Sequence, residues 1–196
     1  MIQRLILALG LALAAMAAPV GAAAQMQPAP AQGAVSETYS SDELLQTGHE
    51  FFGSVAQGMA ALIEQAVGQY GQPNAYILGQ EGSGAILGGV KYGDGIMYTR
   101  NAGAHNVYWQ GPSLGLNFGA NGSRVMMLVY NLPSIEALYD RYPGVDGSLY
   151  AIGGLSMTAL TNNGVHIVPI SSGVGLQAGI SVGYLKFTQQ PTWNPF

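Results

Sequence analysis

The sequence predicts a mainly β protein: a small glycine-rich β-barrel preceded by one amphipathic helix, with a short second helix inserted among the strands. Three observations predict it. From Ala75 onward, short runs rich in Val, Ile and Tyr are separated by glycine-bearing turns. Glycine is the excess residue, 29 of 196, and glycines inside strands mark the bends and bulges by which a sheet curls closed. Ahead of that region, one apolar stripe repeats at helical spacing.

The first residues carry an export signal. Arg4 is the only charge before Glu37, an apolar run follows from Leu5 to about Ala18, and the stretch ends in Ala22-Ala23-Ala24. A positive start, a short apolar run and a small-x-small site make a cleavable secretory signal over residues 1–24, with Gln25 as the new terminus. A membrane anchor is the rival reading, but a span needs about 20 strongly apolar residues, and the second half of this stretch is Ala and Gly with one Pro. The expected location is the periplasm, with no transmembrane span in the mature chain. Residues 25–39, which hold Pro28 and Pro30 and show no periodicity, read as a flexible leader. Residues 40–196 then form a single domain, large enough to bury a core.

Charge and cysteine exclude several classes of function. Only 8% of residues are charged and the formal net charge is −4, so neutralising nucleic-acid phosphates is not within reach. With no cysteine, disulfides, thiolate metal sites and a cysteine nucleophile are excluded.

The helix is expected over residues 40–70. Ser40 and Glu43 fit a capping box, and Leu44, Phe51, Val55, Met59, Leu62 and Ala66 form the stripe. Leu44, Phe51, Val55, Met59 and Leu62 are its expected docking face. Gly48, Gly53 and Gly58 weaken it by about 1 kcal/mol each relative to Ala, so it leans on tertiary contact. Pro73 prevents its resumption. The barrel follows over residues 75–190. Tyr92-Gly93-Asp94-Gly95 and Asn162-Asn163-Gly164 carry the Asp-Gly and Asn-Gly signals of hairpin turns. Pro133 to Tyr139 reads as an inserted helix of about two turns.

Among candidate sites, Gly111-Pro112-Ser113-Leu114-Gly115 spells the nucleophile elbow, with Asp140 or Asp146 and His166 following in the order of α/β-hydrolases. An elbow needs strand, turn, then helix. Here Leu114, Leu116 and Phe118 alternate in strand fashion, so a serine hydrolase using Ser113 and His166 is the lesser alternative. His49, His105 and His166 are scattered without paired spacing, so neither metal nor cofactor is expected. The aromatics of the predicted strands are the better candidates. Tyr108, Trp109, Tyr130, Tyr150 and Tyr184, with Ser113, are the expected ligand or interaction residues. Their apolar bodies with polar tips suit either a tyrosine-rich core or an amphipathic pocket.

Several blocks also carry a resemblance. Val107-Tyr108-Trp109-Gln110-Gly111-Pro112-Ser113, Leu128-Val129-Tyr130-Asn131-Leu132 and Tyr142-Pro143-Gly144-Val145-Asp146-Gly147-Ser148 resemble the EipA family of periplasmic envelope-integrity proteins. So do Phe51-Phe52-Gly53, the segment from Gly71 to Ile77, Gly183–Lys186 and the ending Trp193-Asn194-Pro195-Phe196. The resemblance runs from about Tyr39 to the C-terminus. It implies a soluble barrel of about eight strands and a role in keeping the envelope intact under stress, with no catalytic residues to carry over. A more distant likeness is to lipid-binding SYLF domains, in the succession Trp109–Ser113, Leu114–Ala120, Val125–Asn131, Ile135–Tyr139 and Gly173–Leu185. Asp42, Glu43, Glu50 and Glu64 make the helix acidic, unlike the basic or amphipathic segment of those domains. The expected function is non-enzymatic support of the envelope by binding a lipid, another envelope component or a partner protein. A structural interaction module without ligand is the alternative.

Overall fold

The computed structural model describes Val35 and residues 37–84, 90–112, 122–145, 148–172 and 183–194. The N-terminal region is helical, but as two helices rather than one. α1 spans Ser41–Phe52, a 3-10 segment spans Gly53–Gly58, and α2 spans Met59–Tyr70. The expected capping box closes on Ser40, whose side chain accepts from the Glu43 N–H while the Glu43 carboxylate accepts from the Ser40 N–H. The break follows from two glycines. Gly53 takes φ +61°, and a Cβ on Gly58 would stand 2.2 Å from the Ile152 carbonyl oxygen. Without side chains there, the chain turns left-handed and then presses against a strand. α2 ends at Gly71, φ +81°.

The break also changes which face is buried. Leu44, Met59 and Leu62 are buried as expected positions of the stripe, together with Phe52, Ala56, Ile63 and Ala66. Phe51 is only half-buried and lies edge-on to Phe52 at 5.0 Å. The extrapolation of one stripe across Gly53 therefore picked the wrong phenylalanine as the deep anchor. The side chain of Val55 lies outside the described residues.

The strands are β1 Ala75–Gly84, β2 Val90–Thr99, β3 Gly103–Pro112, β4 Ser123–Tyr130, β5 Arg141–Pro143, β6 Tyr150–Ile152, β7 Leu155–Met157, β8 Leu160–Asn162, β9 Val165–Ser172 and β10 Tyr184–Thr188. They form one antiparallel sheet in the order β5-β10-β3-β2-β1-β4-β9-β7-β6, with β8 also on β9. The sheet curls until its ends meet. Gly144, just after β5, bridges to Leu160 of β8, and the Val145 N–H donates to the Ala159 carbonyl at 2.9 Å. The circuit β5-β10-β3-β2-β1-β4-β9-β8 is thus barrel-like, joined at a narrow seam, while the β6–β7 hairpin leaves it. Strand alternation makes two cores. Val125, Met127 and Val129 of β4 face the barrel interior with Trp109, Tyr142 and Phe187. Met126, Leu128 and Tyr130 of the same strand face out and pack under the helices.

Three local expectations change. Tyr92–Gly95 is not a turn but the middle of β2, where Gly93 pairs with Glu81 and Trp109 on its two sides. Its glycines serve close approach, not a reversal. Asn163 and Gly164 do turn, with φ 49° and 81° between paired Asn162 and Val165, the two positive angles a two-residue hairpin needs. The inserted helix is a single 3-10 turn, Glu136–Leu138, because the chain must reach β5 three residues later. Ordered packing also begins before the expected domain start at residue 40: Val35 is buried, and its carbonyl accepts from the side chain of Asn74 at 3.0 Å. That amide also donates to the Leu132 carbonyl and accepts from the Leu132 N–H.

Phe52→Ala should therefore cost about 3–5 kcal/mol, and Phe51→Ala less than half as much, in equilibrium denaturation; the reverse order would refute this packing. A second expectation concerns acid. The Glu43 carboxyl, bonded to Arg100 and to Ser40, is held down to about 2 from 4.5, chiefly by Arg100. A depressed carboxylate pKa adds stability above the unfolded value, lost as pH falls through the folded one. Melting temperature should fall between pH 4.5 and about 2, modestly because the pair is exposed. Glu43→Gln should flatten that part of the profile; an unchanged slope would show the pair contributes nothing.

Candidate binding groove

The outer face of the β1–β2–β3–β10 sheet carries two rows set by strand register. One is Gly82, Tyr92, Gln110 and Lys186; the next is Gln80, Asp94, Tyr108 and Thr188. After β10 the chain turns back, with the Thr188 hydroxyl donating to the Gln190 carbonyl at 2.9 Å. The tail Pro191-Thr192-Trp193-Asn194 then crosses these rows. Tyr92 donates its hydroxyl to the Trp193 carbonyl at 3.0 Å, and the Lys186 ammonium donates to the Asn194 carbonyl at 3.4 Å. Tyr92 and Lys186 flank Gln110 across the ladder, so the tail passes over Gln110.

Between tail and sheet lies a cavity of about 540 Å³, within the usual span of small-ligand sites. Its aromatic walls are Tyr92, Tyr108 and Trp193, and Trp109 borders it only through the strand, its indole being turned to the interior. Trp193 is 81% exposed and stands edge-on to Tyr92, with ring centres 5.5 Å apart. Gln110 is 1% exposed, and its Nε2 has no hydrogen-bond partner among the described residues. Among the described residues no Lys or Arg lines the cavity, while Glu81 and Asp94 do. Glu81 is already engaged: it accepts from the Lys91 ammonium at 3.1 Å and, more weakly, from the Trp109 indole N–H at 3.4 Å.

Trp109 is buried inside the barrel, and β1 and β2 make room for it. A Cβ on Gly93 would stand 2.2 Å from the indole Cε2, and one on Gly79 would stand 2.7 Å from the ring's outer edge. With Trp109, Tyr142, Phe187, Met97 and Met127 all buried, side chains fill the described interior. The cavity beneath the tail borders the outer face.

Of the residues expected to form a site, Tyr108 and Trp109 meet at this cavity. Tyr130 is buried beneath the helices, 5.5 Å from the Tyr70 ring, with its hydroxyl unpartnered. Burial raises that hydroxyl's pKa, and Tyr70 adds to the shift. Tyr150 is exposed on β6, and its hydroxyl accepts from Gln65 at 3.5 Å. Tyr184 lies on β10 beneath the Arg141 guanidinium, 4.8 Å away. These three do not line the cavity. Ser113 lies outside the described residues. Its chain neighbour Pro112 pairs with Val90, the partner of Gly84 at the end of β1. His166 pairs with Tyr130, next to Val129, the partner of Ala75 at the start of β1. Pro112 and His166 are thus at opposite ends of the sheet, and the Asp140 carboxylate accepts from Asn162 and the Arg141 N–H. Sequence reasoning missed Gln110 and Trp193 as site residues. Their available signal was position alone: a glutamine after a strand tryptophan, and an aromatic after Pro191.

No group of three or more His, Asp or Glu that could hold a metal ion occurs among the described residues. Among them no helix is long and apolar enough to cross a membrane. A family model described as EipA, envelope integrity protein A, matches residues 37–196. The chain is also similar to a solved structure from Brucella abortus, described as a β-barrel-like, uncharacterized protein. The two are 53% identical, with 82% of this chain and 100% of that chain covered and a TM-score of 0.75. No curated protein matches the chain.

The slot for Trp109 is testable. Gly93→Ala should destabilise the protein by about 1–3 kcal/mol through overpacking, because the rigid indole has to move. Gly82→Ala, on the same strand as Gly79 but with nothing near the added methyl, should change stability by no more than about 0.5 kcal/mol. Equal effects in denaturant titrations would mean that the indole is not what the glycine accommodates.

Proposed function

Because this chain belongs to the EipA family of envelope integrity proteins, we propose that it supports the cell envelope by binding a component of it, without catalysis. The observation that carries this reading is the cavity under the C-terminal tail, with the aromatic walls Tyr92, Tyr108 and Trp193 and the Gln110 amide nitrogen, which has no partner among the described residues. Aromatic surface with a few fixed polar groups is the usual composition of a recognition site. The packed interior favours this outer groove over the lumen as the place of binding. Among the described residues no Lys or Arg lines the groove, which counts against an anionic lipid headgroup. The Arg4-to-Ala24 segment supports export to the periplasm with cleavage before Gln25.

The test is complementation. Cells lacking this gene should be sensitive to detergent, and the wild-type chain should restore resistance. Trp193→Ala combined with Tyr108→Ala should not restore it, although the variant should accumulate in the periplasm at wild-type level with its mature terminus at Gln25. Full rescue by the double variant would sink the groove as the functional site, and retention in the cytoplasm would sink the export reading.

A further inference from the structure

We infer that the groove is a glycan site that takes an uncharged, N-acetylated hexose unit of an envelope polysaccharide. This inference deepens the binding reading above and rests on it. The chemistry of the walls selects the class. The exposed Trp193 ring, with Tyr92 at its edge, offers a flat apolar face of the kind that the C–H side of a sugar ring covers. Asp94, exposed on the adjoining row beside Gln80, offers a carboxylate able to accept from two neighbouring hydroxyls.

Gln110 makes the choice narrower. Its Nε2 is a buried donor without an acceptor. Native proteins rarely keep such a group without a reason. An acetamide carbonyl is a neutral acceptor of the right strength, and Gln110 lines the groove that it would enter.

Two other occupants fit less well. A phosphate or other anionic headgroup would face the Asp94 carboxylate, and among the described residues no Lys or Arg lines the cavity to offset it. A peptide adding itself as a strand would need a free edge, whereas β1, β2 and β3 are each paired on both sides. What the groove presents is side chains.

The test compares two trisaccharides on the mature chain by calorimetry: tri-N-acetylchitotriose, and cellotriose, which lacks the acetamide groups. The first should bind about tenfold more tightly, the worth of one good hydrogen bond. Gln110→Leu should remove that difference while raising the melting temperature, because a buried unpaired amide is gone. Trp193→Ala should abolish binding of both sugars. Equal affinity of the wild type for the two sugars would overturn the inference, as would discrimination that survives Gln110→Leu. Binding of neither sugar, or preferential binding of a proline-rich peptide or of anionic vesicles, would also overturn it. If sugars fail to bind while the Trp193/Tyr108 double variant still fails to complement, the glycan inference falls and the groove reading stands. If sugars bind but that variant complements, the groove reading falls instead.

Discussion

The indole of Trp109 is the constraint on which this barrel turns. It fills the interior where β1 and β2 offer no side chains, because Gly79 and Gly93 leave the space that it takes. Glycine at both positions lets the neighbouring strands approach and coil more tightly than side chains would allow. Gly95 extends the same strip, since a Cβ there would stand 2.4 Å from the Leu78 carbonyl oxygen. The polar end of the indole is met by Glu81, which Lys91 in turn neutralises. A large residue, a strip of glycines and one ion pair thus curve the sheet so that the β5 and β8 ends can join.

That curvature also decides what the outer faces do. β4 is buried on both sides, one set of residues inside the barrel and the other beneath the helices. The helices are fixed to the sheet at both ends of α1. Arg100 joins Glu43 and lies over the Tyr39 ring at 4.6 Å, and Tyr39 meets Tyr76 edge-on, 4.9 Å between ring centres. At the other end, Arg124 donates to the Phe51 carbonyl at 2.7 Å. With the helices covering one side, the β1–β2–β3 face is left to the C-terminal tail. The groove is the space between that tail and a face whose inner side is already spoken for by Trp109.

Legibility followed the range of the interaction. The Ser40/Glu43 cap and the Asn163–Gly164 turn are local chemistry, and both stood in the sequence. β4 was legible as a strand, and its near-unbroken apolar run reflects burial on both faces. Asp94–Gly95 was misread because a glycine's use depends on what approaches it: the same dipeptide serves a turn or, as here, the close approach of the Leu78–Gly79 backbone on the neighbouring strand. Phe51 was preferred to Phe52 because one helical period was carried across Gly53, whose positive φ resets the phase. Gln110 and Trp193 were illegible for a different reason. Only the fold brings a tail residue over a strand glutamine, and no spacing in the chain encodes that meeting. The family was legible from whole blocks, not from any single pattern.

Two buried polar atoms lack partners among the described residues, the Gln110 amide nitrogen and the Tyr130 hydroxyl, and they do not have the same meaning. Tyr130 sits between sheet and helices, against Tyr70 and amid Leu128, Met126 and Ala66. Burial raises its pKa, which keeps the hydroxyl neutral. A neutral tyrosine still contributes its large apolar ring to the core, so an unmet hydroxyl is a tolerable loss there. Gln110 has no such compensation: its side chain is short on apolar surface, and a leucine would fill the same space without an unpaired amide. A polar group with no packing role, at the wall of a cavity and beneath a tail, is best explained by an acceptor that arrives from outside the chain.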